Sequence, residues 1–329
     1  MPDYPFTLDK PATYNIANTD HVVASIGRVL IDLHSKCGAP IALTKTLFRN
    51  ITSEPTAIGY LAQFQGYEWL LDQGASFEPE VSHPHTLRGR PVDLDGRIDV
   101  PKLSLFFDIK SFGFEPEYRE MFQRRLEESL SGFKFMVDGH GNHGPDIIEK
   151  EAFGKLAQHL ADLSSSDKIL IPALGWTVKK YAKTKRVMFG ESDYSHQIFI
   201  QQNRDVPLRF ASQFATDAPY LLIFVLPDGV GSSPLKGNIF NFAEEVMNGI
   251  ANYVFGDTAS DTSPVSQHDG KAPSGLSMAD AVARLSGIAL YSPQASLALL
   301  HLNARAAAPL SEIEARSIAT DWKITIHSF

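Results

Sequence analysis

Cysteine is nearly absent: Cys37 is the only one in 329 residues. A single thiol excludes an intramolecular disulfide and fits a reducing compartment. No apolar run approaches the ~18 residues that mark a membrane span. The opening Met-Pro-Asp-Tyr-Pro lacks the basic-then-apolar order of a secretory leader, so a cytoplasmic setting is expected. Positive charge is in deficit, with 30 Lys plus Arg against 38 Asp plus Glu and a net charge of −8. That weighs mildly against a protein that coats nucleic acid, although phosphate binding needs only a local basic surface. Gly-x-Ser-x-Gly, His-Glu-x-x-His and the phosphate-binding P-loop are missing, and no fixed-period repeat is visible.

What is present belongs to an ordinary globular protein, with 43% hydrophobic and 21% charged residues. Strand and helix patterns intersperse along the chain, which predicts a mixed α/β fold with a central sheet and helices on its faces. Residues 1–52 read as an N-terminal helical extension, with Val22, Ile26, Val29 and Leu33 at helical spacing. Residues 53–255 read as the α/β core. Residues 256–275, rich in Ser, Thr, Asp, Gly and Pro, read as a flexible loop or linker. Residues 276–329 read as a C-terminal extension of the core by further strands and helices.

The informative stretch is Gly96–Phe112. Leu103–Ile109 is apolar and β-preferring and reads as a buried central strand. Asp108 and Lys110 then point to one face and Ile109 to the other. Charged groups at a buried strand are costly unless paired or bound to something. Eight residues separate Asp99 from Asp108, and Asp93-Leu-Asp-Gly reads as a turn ahead of a strand beginning at Ile98. Asp99 and Asp108 brought together would form an oxygen-rich site for a hard cation such as Mg²⁺, with Lys110 beside it. The bland alternative is an ion pair of Asp108 with Lys110 and a turn residue at Asp99. Upstream, Glu68 shares a helix stripe with Leu61, Phe64 and Leu71, either reaching water from the stripe edge or serving function.

With Asp99, Asp108 and Lys110, the chain resembles the PD-(D/E)XK nuclease superfamily. The likeness spans residues 55–140: a helix with an inward Glu68, a stop at Gly74, a short strand, an Asp strand and the Asp-x-Lys strand. Ile98 stands where the family name has proline. The resemblance implies a restriction-endonuclease-like central mixed sheet flanked by helices. It implies hydrolysis of phosphodiester bonds in nucleic acid, DNA foremost, with Mg²⁺ or Mn²⁺. Asp99, Asp108, the Ile109 carbonyl and Glu68 would hold the metal, with Glu80 as second choice. Lys110 would orient the attacking water and stabilise developing charge.

Lys179, Lys180, Lys183, Lys185 and Arg186, interleaved with Trp176 and Tyr181, suit a phosphate-backbone track or else a solvated helix face. Arg88, Arg90 and Arg97 lie close enough in sequence to hold a substrate strand. A homodimer is left open. Two rivals remain: a non-catalytic nucleic-acid-binding or assembly protein on the same fold, and an Mg²⁺-dependent hydrolase of nucleotides. The Gly139–Gly144 run matches Gly-x-Gly-x-x-Gly, but Pro145 directly after it fits a turn before a helix start better than a dinucleotide site. His140 and His143 could ligate a metal with Asp138, but without a thiolate or a third histidine at suitable spacing a plain loop is the better reading.

Overall fold

The computed structural model describes the chain except residues 1–18, 52–56, 101–102, 113–114, 140–142, 144, 184–195, 227–238 and 294–296. Lys185, Arg186 and His140 therefore lie outside the described residues.

Three helices come first: α1 (Thr19–Cys37), α2 (Ile41–Ile51) and α3 (Ala57–Asp72). Strands β1 (Phe77–His83), β2 (Val92–Val100) and β3 (Leu103–Ser111) follow as an antiparallel meander. Next come α4 (Glu115–Ser129), β4 (Phe133–Asp138), α5 (Pro145–Ile148), α6 (Leu156–Ser165), β5 (Lys168–Ile171) and β6 (Trp176–Ala182). Then α7 (His196–Asn203), β7 (Tyr220–Val225), α8 (Ile239–Asn252), α9 (Met278–Val282), β8 (Gly287–Ser292), β9 (Leu297–Asn303), α10 (Glu312–Ile318) and β10 (Lys323–His327) complete the chain.

Seven strands form one mixed sheet in the order β1-β2-β3-β7-β8-β9-β10. The pairs β3–β7, β7–β8 and β9–β10 are parallel, the rest antiparallel. The C-terminal strands thus continue the same sheet. β4, β6 and β5 make a separate three-stranded antiparallel sheet. Two hydrophobic cores fill the faces of the main sheet, one under α1–α4 and one under α8, α9 and the 3₁₀ turn Val206–Gln213. The mixed α/β expectation is met at that level. Among the described residues no helix is long and apolar enough to cross a membrane.

A π-turn at Glu149–Phe153 separates α5 from α6. Some local readings differ. Residues 256–275, read as a flexible connection, are tied in: Val265 is fully buried, and the Ser212 N–H donates to Asp269 Oδ2 at 2.7 Å. Short polar residues bond the backbone there, so the composition of a linker serves a packed loop.

The difference that matters most is the start of β2. It begins at Val92, so Asp93-Leu-Asp-Gly lies inside a strand. A Cβ on Gly96 would fall 2.4 Å from Phe107 Cζ and 2.9 Å from the Glu78 carbonyl. Glycine here admits a close approach, one of its meanings within a strand. On α3, a Cβ on Gly66 would fall 2.8 Å from Ile109 Cδ1, so α3 sits hard against β3. Substituting Gly96→Ala forces the fully buried Phe107 ring to shift. We expect a loss of about 2 kcal/mol, read as a lower urea midpoint with unchanged slope.

Candidate functional site

β1 and β2 change face in step. Phe77 and Ile98 belong to the core under α3, whereas Leu94 belongs to the opposite core and Val81 packs against it. Positions four apart on a regular strand share a face, so each strand is twisted out of register between them. The switch falls between the pairs Pro79↔Gly96 and Val81↔Leu94, at Glu80 opposite Asp95. Glu80 has φ +54°, the one positive value of a non-glycine among the described residues. Such a backbone costs on the order of 1–3 kcal/mol and persists only where the surroundings impose it.

The regular β2–β3 ladder ends at Gly96↔Phe107. One step further, Asp95 faces Asp108, and side chains take over from backbone. The Ile109 N–H donates to Asp95 Oδ2 at 2.6 Å, and the Asp95 N–H donates to Asp108 Oδ1 at 3.1 Å. Glu80, Asp95 and Asp108 therefore form one row of carboxylates across β1, β2 and β3.

Other elements close on the row. The Gln63 amide from α3 donates to Glu80 Oε1 at 2.6 Å and to Asp95 Oδ1 at 2.7 Å. The Tyr67 hydroxyl, one helical turn on, donates to the Asp95 carbonyl at 2.6 Å. Tyr220 on β7 donates to Asp108 Oδ2 at 2.5 Å. Lys110 Nζ lies 3.6 Å from Asp108 Oδ1 and 4.0 Å from Asp95 Oδ2, and 5.4 Å above the Phe210 ring. Asp108 is 1% exposed, while the side chains of Asp95 and Lys110 keep 17% and 19%.

Three carboxylates share one ammonium, and the electrostatics show it. Burial pushes the Asp95 carboxyl up to about 8, with Lys110 opposing the rise and Asp108 adding to it. Burial also raises Glu80, partly offset by the Gln63 hydrogen bond. Desolvation would lower Lys110, but Asp108 and Asp95 hold it above the ordinary lysine value, so it stays charged. Tyr67 and Tyr220 are raised well above the ordinary phenol value, chiefly by burial, and remain neutral donors.

The predicted residues are only partly assembled. Asp108 and Lys110 stand together as expected. Asp99 does not join them: it pairs with Ser104, four residues along β2 from Asp95, roughly 13 Å at strand rise. It is exposed, accepts from Ser104 Oγ at 2.5 Å and meets Arg97 at 3.2 Å. The Asp93–Gly96 turn reading hid the acid that does face Asp108. Glu68 is also elsewhere, ion-paired to Arg28 of α1, which holds Asp72 at 2.7 Å as well. Gln63, one residue before Phe64, occupies the inward position instead. α3 is buried on nearly every side, so no apolar stripe singled it out. The Ile109 amide bonds Asp95, a contact the sequence did not disclose. The available signal was the glycine inside a strand-like run, which marks a bend or close approach.

Among the basic residues, Lys179 is on β6, not a helix. Lys180 turns inward to the Leu163 carbonyl and meets Asp167 at 3.3 Å. Lys183 Nζ meets the Ser131 carbonyl at 3.3 Å. The Arg88 N–H donates to the Ser212 carbonyl at 3.0 Å, and the Arg90 carbonyl accepts from Thr86 Oγ1 at 2.9 Å. Their loop thus packs on the 3₁₀ turn that carries Phe210 over Lys110. Glu80 and Asp99 both line an open groove of about 750 Å³ beside the α1–α2 junction, with Arg97 and Cys37.

No family model, curated protein or solved structure matches this chain.

The acid row makes stability depend on pH. Between about pH 4 and pH 8 folded Asp95 retains a proton that the unfolded chain has released, so stability falls as pH rises through that window. The slope from this group is about 1.4 kcal/mol per pH unit. Replacing Asp95→Asn should flatten urea-derived stability between pH 5 and 8, and a retained slope would place the titration elsewhere. A second expectation concerns strain. Glu80→Gly should hold or raise stability by about 1 kcal/mol, read as a melting temperature shift of about +2 °C. A clear drop would show that Glu80 stabilises the fold.

Proposed function

We propose that this protein is a divalent-metal-dependent phosphodiesterase acting on nucleic acid, a nuclease of the PD-(D/E)XK kind. The observation that carries this reading is the row Glu80, Asp95 and Asp108 on three adjacent strands, with Lys110 two residues beyond Asp108. In the family pattern Asp95 takes the place the sequence reading gave to Asp99, and Gln63 the place given to Glu68.

The donor set fits a hard cation. Glu80 and Asp95 offer carboxylate oxygens to either side of the Gln63 amide; burial raises both above the ordinary carboxylate range, and Asp108 adds to the rise. Among the described residues no three His, Cys, Asp or Glu side chains surround a common point. Two carboxylates plus water and substrate phosphate is a usual arrangement for Mg²⁺ or Mn²⁺. When bound, such a cation supplies Lewis-acid chemistry, offsetting phosphate charge and acidifying water.

The chain's own residues do the remaining work. Lys110, held charged by two aspartates, orients water and stabilises negative charge that develops on the phosphate oxygens. Asp108, fixed by Tyr220 and the Asp95 amide, anchors Lys110. Arg88 and Arg90, on the loop packed against the turn that carries Phe210, would contact the substrate phosphates.

One observation favours the non-catalytic alternative: Asp108 is 1% exposed and both its oxygens already accept hydrogen bonds. In that reading the acids only replace the interrupted ladder.

Incubation with single- and double-stranded DNA and RNA, with Mg²⁺ or Mn²⁺, separates the two. The nuclease reading expects cleavage that chelation abolishes and that Asp95→Asn, Asp108→Asn or Lys110→Met each lower at least about 100-fold, with the fold intact by circular dichroism. It also expects Mn²⁺ binding to release a proton near pH 7, since the metal displaces the one on Asp95. Absence of both cleavage and saturable Mn²⁺ binding would establish the scaffold reading.

A further inference from the structure

Among the described residues, the three-stranded sheet buries one face and leaves the other open. Phe135 and Val137 of β4, Ile171 of β5, and Trp176 and Val178 of β6 fill the core. Alternation puts Lys134, Lys168, Lys179 and Tyr181 on the outer face. Register sets Lys179 directly opposite Lys168 on one side and Met136 on the other, and Tyr181 opposite Lys134. Neighbouring strands lie about 5 Å apart and alternate residues about 7 Å apart, so these groups form one compact patch. Asp138 is the acid on that face. Asp167, beside Lys168, is engaged by Lys180 from the inner side.

Like charges directly opposite in a sheet repel and destabilise it. Lysines on edge strands alone have a protective explanation, since they discourage pairing with other sheets. β4 and β5 are such edges, but Lys179 lies on the central strand. A lysine there, facing a second lysine in a chain of net charge −8, has no such explanation. A polyanion laid across the face would turn the repulsion into attraction. Tyr181 among the ammonium groups suits a ligand with planar bases as well as phosphates. Leu170, 60% exposed on the same face, adds apolar contact.

We infer that the outer face of the β4–β6–β5 sheet is a docking platform for single-stranded nucleic acid, with Lys134, Lys168 and Lys179 on phosphates and Tyr181 stacking on a base. This role deepens the nuclease reading and rests on it, since the bound strand would be substrate held away from the carboxylate row.

The test is fluorescence anisotropy of a labelled oligothymidylate of about 20 nucleotides, in EDTA, at about 50 mM salt and upward. Wild type should bind. The triple variant Lys134→Glu, Lys168→Glu, Lys179→Glu should bind at least tenfold more weakly. The milder triple Lys→Gln variant, which removes the charges without reversing them, should reduce the salt slope by about 2, the value for three lost phosphate contacts. Tyr181→Ala should weaken binding about tenfold with the salt slope unchanged. Three results would overturn the docking role: no binding by wild type, unchanged affinity in the Lys→Gln variant, or equal affinity for polyglutamate of matched charge. Binding is read without divalent cation and cleavage with it, so loss of the platform and loss of the nuclease reading are distinguishable.

Discussion

Carboxylate side chains stand in for backbone where β2 leaves the β3 ladder. Asp95 accepts the Ile109 N–H that a ladder carbonyl would otherwise take, and Asp108 accepts the Asp95 N–H. A buried amide left unpaired is expensive, so these two acids are fixed by the architecture before any chemistry is considered. The twist that creates the opening also carries Glu80 into a positive-φ backbone and brings it opposite Asp95. Three carboxyl groups then meet in one row. Lys110, the Gln63 amide and two tyrosine hydroxyls are what the surrounding elements supply in return.

That arrangement links fold to reactivity. α3 delivers Gln63 and Tyr67 to the row only because Gly66 lets it lie against Ile109. β7 pairs in parallel with β3 and sets Tyr220 against Phe106, from where its hydroxyl reaches Asp108. Such a cluster holds a proton that a carboxylate ordinarily loses, and the proposed hydrolytic function would use that group beside the fixed ammonium. The same negative excess would be relieved by a divalent cation or by protonation. In the proposed function a divalent cation and a proton would therefore act on one set of groups.

Much of the scaffold was legible. The apolar β-rich run around Phe106–Ile109, the Asp-x-Lys alternation and the C-terminal strands follow from periodicity, because burial imposes it. Asp108 and Lys110 were found for that reason. Asp95-Gly96 carries the signature of a turn, and short-range chemistry alone does not separate a turn from a bent strand, so Asp95 does not stand out beside Asp99. Only the ring of Phe107, brought from the neighbouring strand, shows why the glycine is needed. Glu68 draws attention as a charged residue on an apolar helix, whereas the neutral Gln63 does not. In fact Arg28, 40 residues away, neutralises Glu68 at the surface.

The amino-acid order by itself determined the class of fold, the central strand and the pairing of an aspartate with a lysine on one face of it. These depend on local periodicity and on the cost of burying charge. Tertiary structure decided which carboxylates meet, since that is set by strand register, by where a ladder breaks and by which helix can come close. It likewise decided that Lys179 faces Lys168 and that Lys180 turns inward, because a strand and a helix distribute the same basic run to different sides.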